Sequence, residues 1–232
     1  MRSRFLKHVF VSVLLLAAAA AVHGQLDDEF AYAQREDFER VYTITTNEGA
    51  TVSLLAAREQ VRIEVPVGAE ATVVHGGVDR RAPGATLAIS TVLTRGTGAF
   101  TPIRIGVQGS DVPERRVYLQ LQRNPSKDRV EIVVRNTMLG ASLGDQHLGS
   151  LMLDKAAAIE SAWRLELDDR VFRVWHEGEV VLDGRHRIDD PAAFMDVQGF
   201  FHARRNAGGR GAVVFDRFGI EVIAAEEQSE RE

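Results

Sequence analysis

Between residues 41 and 222, hydrophobic side chains recur at every second position in short, β-branched runs separated by Gly, Pro, Asn or Asp. In order these read VYTITT, TVSLL, VRIEVPV, ATVVH, TLAISTVL, IRIGVQ, VYLQLQR, RVEIVVR, AWRLEL, RVFRVWH, EVVLD, GFFHARR and AVVFDRFGIEV. A period of two sends alternate side chains to opposite faces, so each run predicts a strand with one face turned to a core. Thirteen such runs punctuated by turn residues predict an all-β sandwich or barrel.

Several joints carry a mechanism. Asn124-Pro125-Ser126 lies between two runs, where proline presets a turn dihedral and removes a ladder donor. Asp168-Asp169 and Glu177-Gly178 mark the reversals of a three-strand meander. Within it, Trp163, Leu165 and Leu167 share one face and Arg164 and Glu166 the other, so Trp163 reads as core. In RVFRVWH both faces carry bulk, with Phe172 and Val174 opposed to Val171, Arg173 and Trp175, and the pattern leaves the buried face open. The alternation lapses in three stretches. Residues 25–40 are charged and predict a short helix or an extended lead-in. Residues 136–160 are the least strand-like, with a helical turn in DKAAAIES, and 184–198 read as a loop with a short helix after Pro191. Long insertions of this kind often rim a binding site. With no internal repeat, one domain over 41–223 is expected, followed by a charged tail over 224–232.

The first 24 residues change the picture of where the protein works. A basic start (Arg2, Arg4, Lys7), an apolar stretch from Val9 to Val22 and small residues up to Gly24 have the layout of a cleaved signal peptide. The stretch is short for a membrane span, which ranks an uncleaved N-terminal anchor behind cleavage near Gly24, and no other segment is long and apolar enough to cross. Removing three basic residues makes a formal net charge of −5 more negative still, which speaks against nucleic acid as a partner. Cysteine is absent, which excludes disulfides, thiolate metal sites and a cysteine nucleophile. A periplasmic or extracellular protein held by packing and backbone pairing is the expectation.

Four stretches resemble the concanavalin A-like jelly rolls, and within them the alginate-lyase type, polysaccharide lyase family 7. SAWRLELDDRVFRVWHEGEVVLDG is similar to that family's meander, and GFFHARRNAGGRGAVVFDRFGIEV to its C-terminal strand pair. IRIGVQGSDVPERRVYLQLQ stands where the family has a Gln-Ile-His strand, and VRIEV, with Arg62 and Glu64, resembles its Arg-x-Glu strand. The resemblance covers most of residues 60–222 and implies a single jelly-roll β-sandwich. It also implies a degenerate catalytic motif. The family's tyrosine falls on Phe200, its lysine on His202, and its Gln-Ile-His on Gly106-Val107-Gln108. Phenylalanine has no proton to give, so the family's mechanism does not carry over intact.

Eliminative cleavage of a uronate polymer needs a donor or cation on the carboxylate, a base for the adjacent C–H, and an acid for the leaving oxygen. The resemblance brings Arg62, Gln108 and His202 forward as the altered catalytic set, with Arg62 suited to a bidentate carboxylate contact. Glu64, Tyr118, Gln120, Arg204 and Trp175 follow as substrate-binding candidates. Alternation itself puts Phe200, His202 and Arg204 on one face, and Tyr118, Gln120 and Gln122 on one face. His75, His147 and His186 fall in expected loops without the spacing of a metal site, and no cofactor or metal is called for. Three functions stay open: a lyase-like protein acting on an acidic polysaccharide, a non-catalytic carbohydrate-binding protein, and a structural cell-envelope protein. Retaining glycoside hydrolysis ranks behind them, since RVEIVVR offers only Glu131 and the Glu166/Asp168 pair lies at a hairpin, where acidic residues serve the turn.

Overall fold

A computed structural model describes residues 25–77, 79–81, 83–97, 102–124, 129–137, 146–154, 161–186, 196–205 and 210–224. The expected signal peptide, the tail beyond residue 224, the helical turn over 155–160 and the helix after Pro191 lie outside these residues. Sixteen strands, one α-helix and one 3-10 helix (Ala56–Arg58) are described. In chain order the strands and the α-helix are β1 (Gln25–Asp28), α1 (Arg35–Val41), β2 (Tyr42–Thr46), β3 (Thr51–Leu55), β4 (Gln60–Val65), β5 (Glu70–His75), β6 (Asp79–Arg80), β7 (Thr86–Thr97) and β8 (Ile103–Gly109). There follow β9 (Arg116–Asn124), β10 (Arg129–Asn136), β11 (Gln146–Asp154), β12 (Ser161–Leu167), β13 (Val171–His176), β14 (Glu179–Arg185), β15 (Asp196–Arg204) and β16 (Gly211–Ile223).

The strands form two antiparallel sheets of eight. Sheet A runs β14-β13-β12-β7-β16-β4-β3, with β1 beside β16, and sheet B runs β11-β10-β9-β8-β15-β5-β2, with β6 beside β15. This is the concanavalin A-like jelly-roll β-sandwich expected from the sequence. Period-two patterning accounts for the layers. Val61, Ile63 and Val65 of β4 turn inward and Gln60, Arg62 and Glu64 outward, and β12 repeats the alternation with Trp163, Leu165 and Leu167 inward. At the centre, Phe201 of sheet B packs against Phe215 and Phe218 of sheet A, with ring centroids 4.6 and 5.2 Å apart. Trp163 is core as expected, stacked on His176 at 4.3 Å. In β13 it is Phe172 and Val174 that face the core.

Three expectations need correction. Residues 25–40 hold the start of the expected short helix, α1, but the segment is packed into the domain rather than leading up to it: β1 pairs with β16, and Phe30 and Phe38 are fully buried. Asp28 ties this segment down, accepting hydrogen bonds from the Phe30 backbone N–H (2.7 Å), the Tyr32 hydroxyl (2.6 Å) and the Tyr42 hydroxyl (2.8 Å). The stretch 136–160 contains β11, an edge strand whose Leu148, Leu151 and Leu153 pack on the core. His75 and His147 lie in strands β5 and β11 rather than in loops, and His186 directly follows β14. The meander closes as predicted, with Glu177 (φ 51) and Gly178 (φ 83) both left-handed, the geometry of a two-residue hairpin turn.

Candidate functional site

The outer face of sheet B gathers most of the sequence-predicted residues. Along β15, Phe200, His202 and Arg204 point outward while Phe201 and Ala203 enter the core. Antiparallel register then aligns the neighbours. His202 lies opposite Arg104 on β8 and Thr72 on β5, Arg104 opposite Gln120 on β9, and Gln198 opposite Gln108, itself opposite Arg116. His202, Gln108, Gln120, Tyr118 and Arg204 therefore share one face. Arg62, Glu64 and Trp175 do not join them. β4 and β13 belong to sheet A, where Arg62 and Glu64 pair with each other on the outer side, and Trp175 lines a different hollow. The proposed set of Arg62, Gln108 and His202 is thus split across opposite layers and does not converge. The Arg-x-Glu pattern correctly reported two residues on one strand face and carried no information about which sheet owns the strand.

Glycine decides how the sheet B face packs. Phe200 sits two strands from Tyr118, with Gly106 between them in register. A Cβ at Gly106 would come within 2.7 Å of both the Cα and Cβ of Tyr118, so only a missing side chain lets the tyrosine lean across. The Tyr118 ring meets Phe200 edge-on at 6.4 Å. The Arg104 guanidinium lies 5.0 Å over the Tyr118 ring, and Arg116 lies 5.0 Å over Phe200. Each aromatic thus carries a cation on its negative face. Phe200 serves here as a platform for Arg116.

Hydrogen bonds fix these cations from the side. Arg104 Nε donates to Gln120 Oε1 (2.6 Å), Gln120 Nε2 to Gln122 Oε1 (2.5 Å), and Gln122 Nε2 to Glu131 Oε2 (2.8 Å). The chain crosses β8, β9 and β10 and holds Arg104 through neutral amides rather than through a carboxylate. Arg116 Nε donates to the Pro113 carbonyl at 2.8 Å. Arg204 reaches Glu70 at 3.8 Å in a half-exposed pair, a contact of small energetic weight. Among the described residues, no carboxylate forms an ion pair with Arg104 or Arg116.

His202 reports the field this creates. It is 2% exposed and shares a hydrogen bond between Nδ1 and Thr72 Oγ1 at 2.9 Å, while Nε2 is buried without a partner. Burial, then the positive charges of Arg104, Arg116 and Arg204, push its pKa down to about 3. The imidazole is neutral at any physiological pH and is a weak base, far from the pKa that favours proton abstraction near neutrality. Further along β8, opposite Gln198, Gln108 is 4% exposed with Oε1 unpartnered. Sequence reasoning missed Arg104 and Arg116. Alternation in IRIGVQ and RVYLQLQR did place them on the faces of Gln108 and Tyr118, so the signal was present.

Glu70 on β5 and Glu131 on β10 stand four strand spacings apart, roughly 19 Å, beyond the reach of a glycosidase pair. Among the described residues no cluster of His, Asp and Glu fits a metal ion.

No protein-family model matches the sequence, and no curated protein matches it. Solved structures do match in shape. The metal-free Emp46p carbohydrate recognition domain superposes with a TM-score of 0.57 at 10% identity, over 85% of this chain and 95% of that one. LamA from Z. galactanivorans, in complex with laminaritriose and laminaritetraose, gives 0.57 at 12% identity, over 84% and 97%. The metal-free lectin I-B4 from Griffonia simplicifolia gives 0.58 at 8% identity, over 86% and 99%. At these identities the likeness shows the fold.

Proposed function

We propose that this protein is an exported carbohydrate-binding protein that holds an acidic polysaccharide against the outer face of sheet B without cleaving it. The observation that carries the reading is the grouping of Arg104 and Arg116, neither of them in an ion pair with a described carboxylate, around a neutral, buried His202. A face whose cations are held by amides, carbonyls and aromatic rings keeps its guanidinium forks available to carboxylate or sulfate groups. Gln108, whose Oε1 has no partner, supplies a neighbouring acceptor for a hydroxyl. The solved structures of this shape include a carbohydrate recognition domain and a lectin, and the same fold serves here for a ligand of the opposite charge to the face. Binding is favoured over elimination because Phe200 has no proton to donate and His202 is too weak a base to take one.

The test is a titration of the protein lacking residues 1–24 with alginate, polygalacturonate and a sulfated glycan, by calorimetry and by absorbance of an unsaturated product. Saturable binding without new absorbance is expected. Arg104→Ala and Arg116→Ala should each weaken it about 10- to 100-fold, since a charge-assisted hydrogen bond contributes about 1.5–3 kcal/mol. Absorbance lost in His202→Ala would restore the lyase. No binding to any anionic glycan would leave the envelope protein.

A further inference from the structure

The outer face of sheet A carries a hollow of about 370 Å³ that the sheet B site does not use. That volume is within the range of small-ligand sites, roughly 300–1,000 Å³. Its origin is a row of residues in register across five strands. Trp175 lies opposite Arg164, Arg164 opposite Ser90, Ser90 opposite Gly219, and Gly219 opposite Asp27. The middle of the row is small, and the adjoining floor positions on β7 and β12 are Ala88, Val92 and Ala162. Large side chains flank this small middle, Trp175 and Arg164 on one side and the Asp27–Arg217 pair on the other, so the face sags between them.

The charges around this hollow are already matched, in contrast to those on sheet B. Arg164 Nε donates to Glu166 at 2.8 Å and its terminal nitrogen reaches Glu221 at 3.1 Å, while Arg217 is bound by both oxygens of Asp27. An anion would have to displace Glu221 or Asp27, and a cation would meet the arginines. A ligand with donors and acceptors on the same small groups meets no such opposition. Hydroxyls fit that description, and the Trp175 ring with its alanine and valine neighbours offers an apolar surface to the C–H face of a sugar ring.

We infer that this hollow is a second carbohydrate site, selective for a neutral pyranose stacked on Trp175. Trp175 is then a sugar-contacting residue, though on the sheet opposite to the cationic face, and the protein presents one neutral and one anionic glycan site back to back. The inference does not depend on the sheet B reading.

The chain has two tryptophans and both emit, so Trp175→Phe, which leaves only the buried Trp163, separates the emission of Trp175 from that of the core ring. Cellotriose, laminaritriose and maltotriose would each be titrated into the protein lacking residues 1–24, with fluorescence and calorimetry read together. At least one should bind saturably with a shift in emission. Trp175→Ala and Ser90→Leu, which fills the floor without touching the indole, should each weaken binding about tenfold or more. Trp175→Phe should retain most of it by calorimetry, and Arg104→Ala should leave it unchanged. Absence of binding for all three sugars overturns the inference. So does binding heat without an emission shift in the wild type, or tighter binding of a triuronate at this site than of the neutral sugars.

Discussion

Acidification tests the electrostatics of the cationic face most directly. In the unfolded chain His202 takes up a proton near pH 6.5, whereas in the folded protein burial and three arginines hold that event off until about pH 3. Between these values the unfolded state binds one more proton, so stability falls as pH falls, by about 1.4 kcal/mol per pH unit. From pH 6.5 to 5 the loss from His202 alone is about 2 kcal/mol. His75 and His186, also lowered by burial, act in the same direction. Asp79 acts in the opposite one. Burial raises its carboxyl to about 6, so the folded state is the tighter proton binder between about pH 4 and 6 and gains stability as pH falls through that window. The clean measurement is therefore a difference. Urea unfolding of the wild type and of His202→Asn, each at a series of pH values from 4.5 to 8, separates His202 from the rest. The stability advantage of the wild type should be constant above pH 7 and shrink by about 1.4 kcal/mol per unit below 6.5. Parallel curves for the two proteins would refute the claim that arginine charge and burial keep this ring neutral.

Three further predictions follow from the packing. Gly106→Ala should destabilise the protein by about 1–3 kcal/mol or more, because the new methyl meets the Tyr118 backbone and the Val117 carbonyl; thermal melting checks it, and anionic-glycan affinity should fall with it as Tyr118 and Arg104 shift. Phe201→Ala should cost about 3–5 kcal/mol in chemical denaturation, since the ring fills the space between Phe30, Phe215 and Phe218. Asp28→Ala should cost about 1–3 kcal/mol and open residues 25–40 to limited proteolysis; Tyr42→Phe in that background should recover part of the loss by removing a buried hydroxyl left without its acceptor.

The sandwich was legible because its strands are buried on one side and period two is a local signal. What escaped was whatever depends on pairing partners. β11 hid because a bulge opposite Val134 and Arg135 leaves Leu148 outside the pairing, so its inward leucines recur at Leu148, Leu151 and Leu153 rather than at every second residue. Residues 25–40 looked detached because β1 is only four residues long and its partner strand lies almost two hundred positions away. The site divided along the same line. The shared face of Phe200, His202 and Arg204 was readable from alternation, and so in principle was that of Arg104 and Gln108. The assignment of Arg62 and Trp175 to that face was not, because one strand's alternation is silent on which sheet it joins.

β16 has a consequence for how the molecule comes into being. This single strand is flanked by β4, β7 and β1, partners made some 120 to 200 residues earlier, and it supplies Phe215, Phe218 and Ile220 to the centre of the core. A nascent chain lacking those residues has an unfilled gap in the middle of sheet A, and with no cysteine it has no covalent crosslink to hold the halves near each other. Such distant pairing makes for slow maturation. The native state therefore becomes reachable only once residues 211–223 have been made, and a ribosome stalled before residue 211 should display a protease-sensitive, unfolded polypeptide.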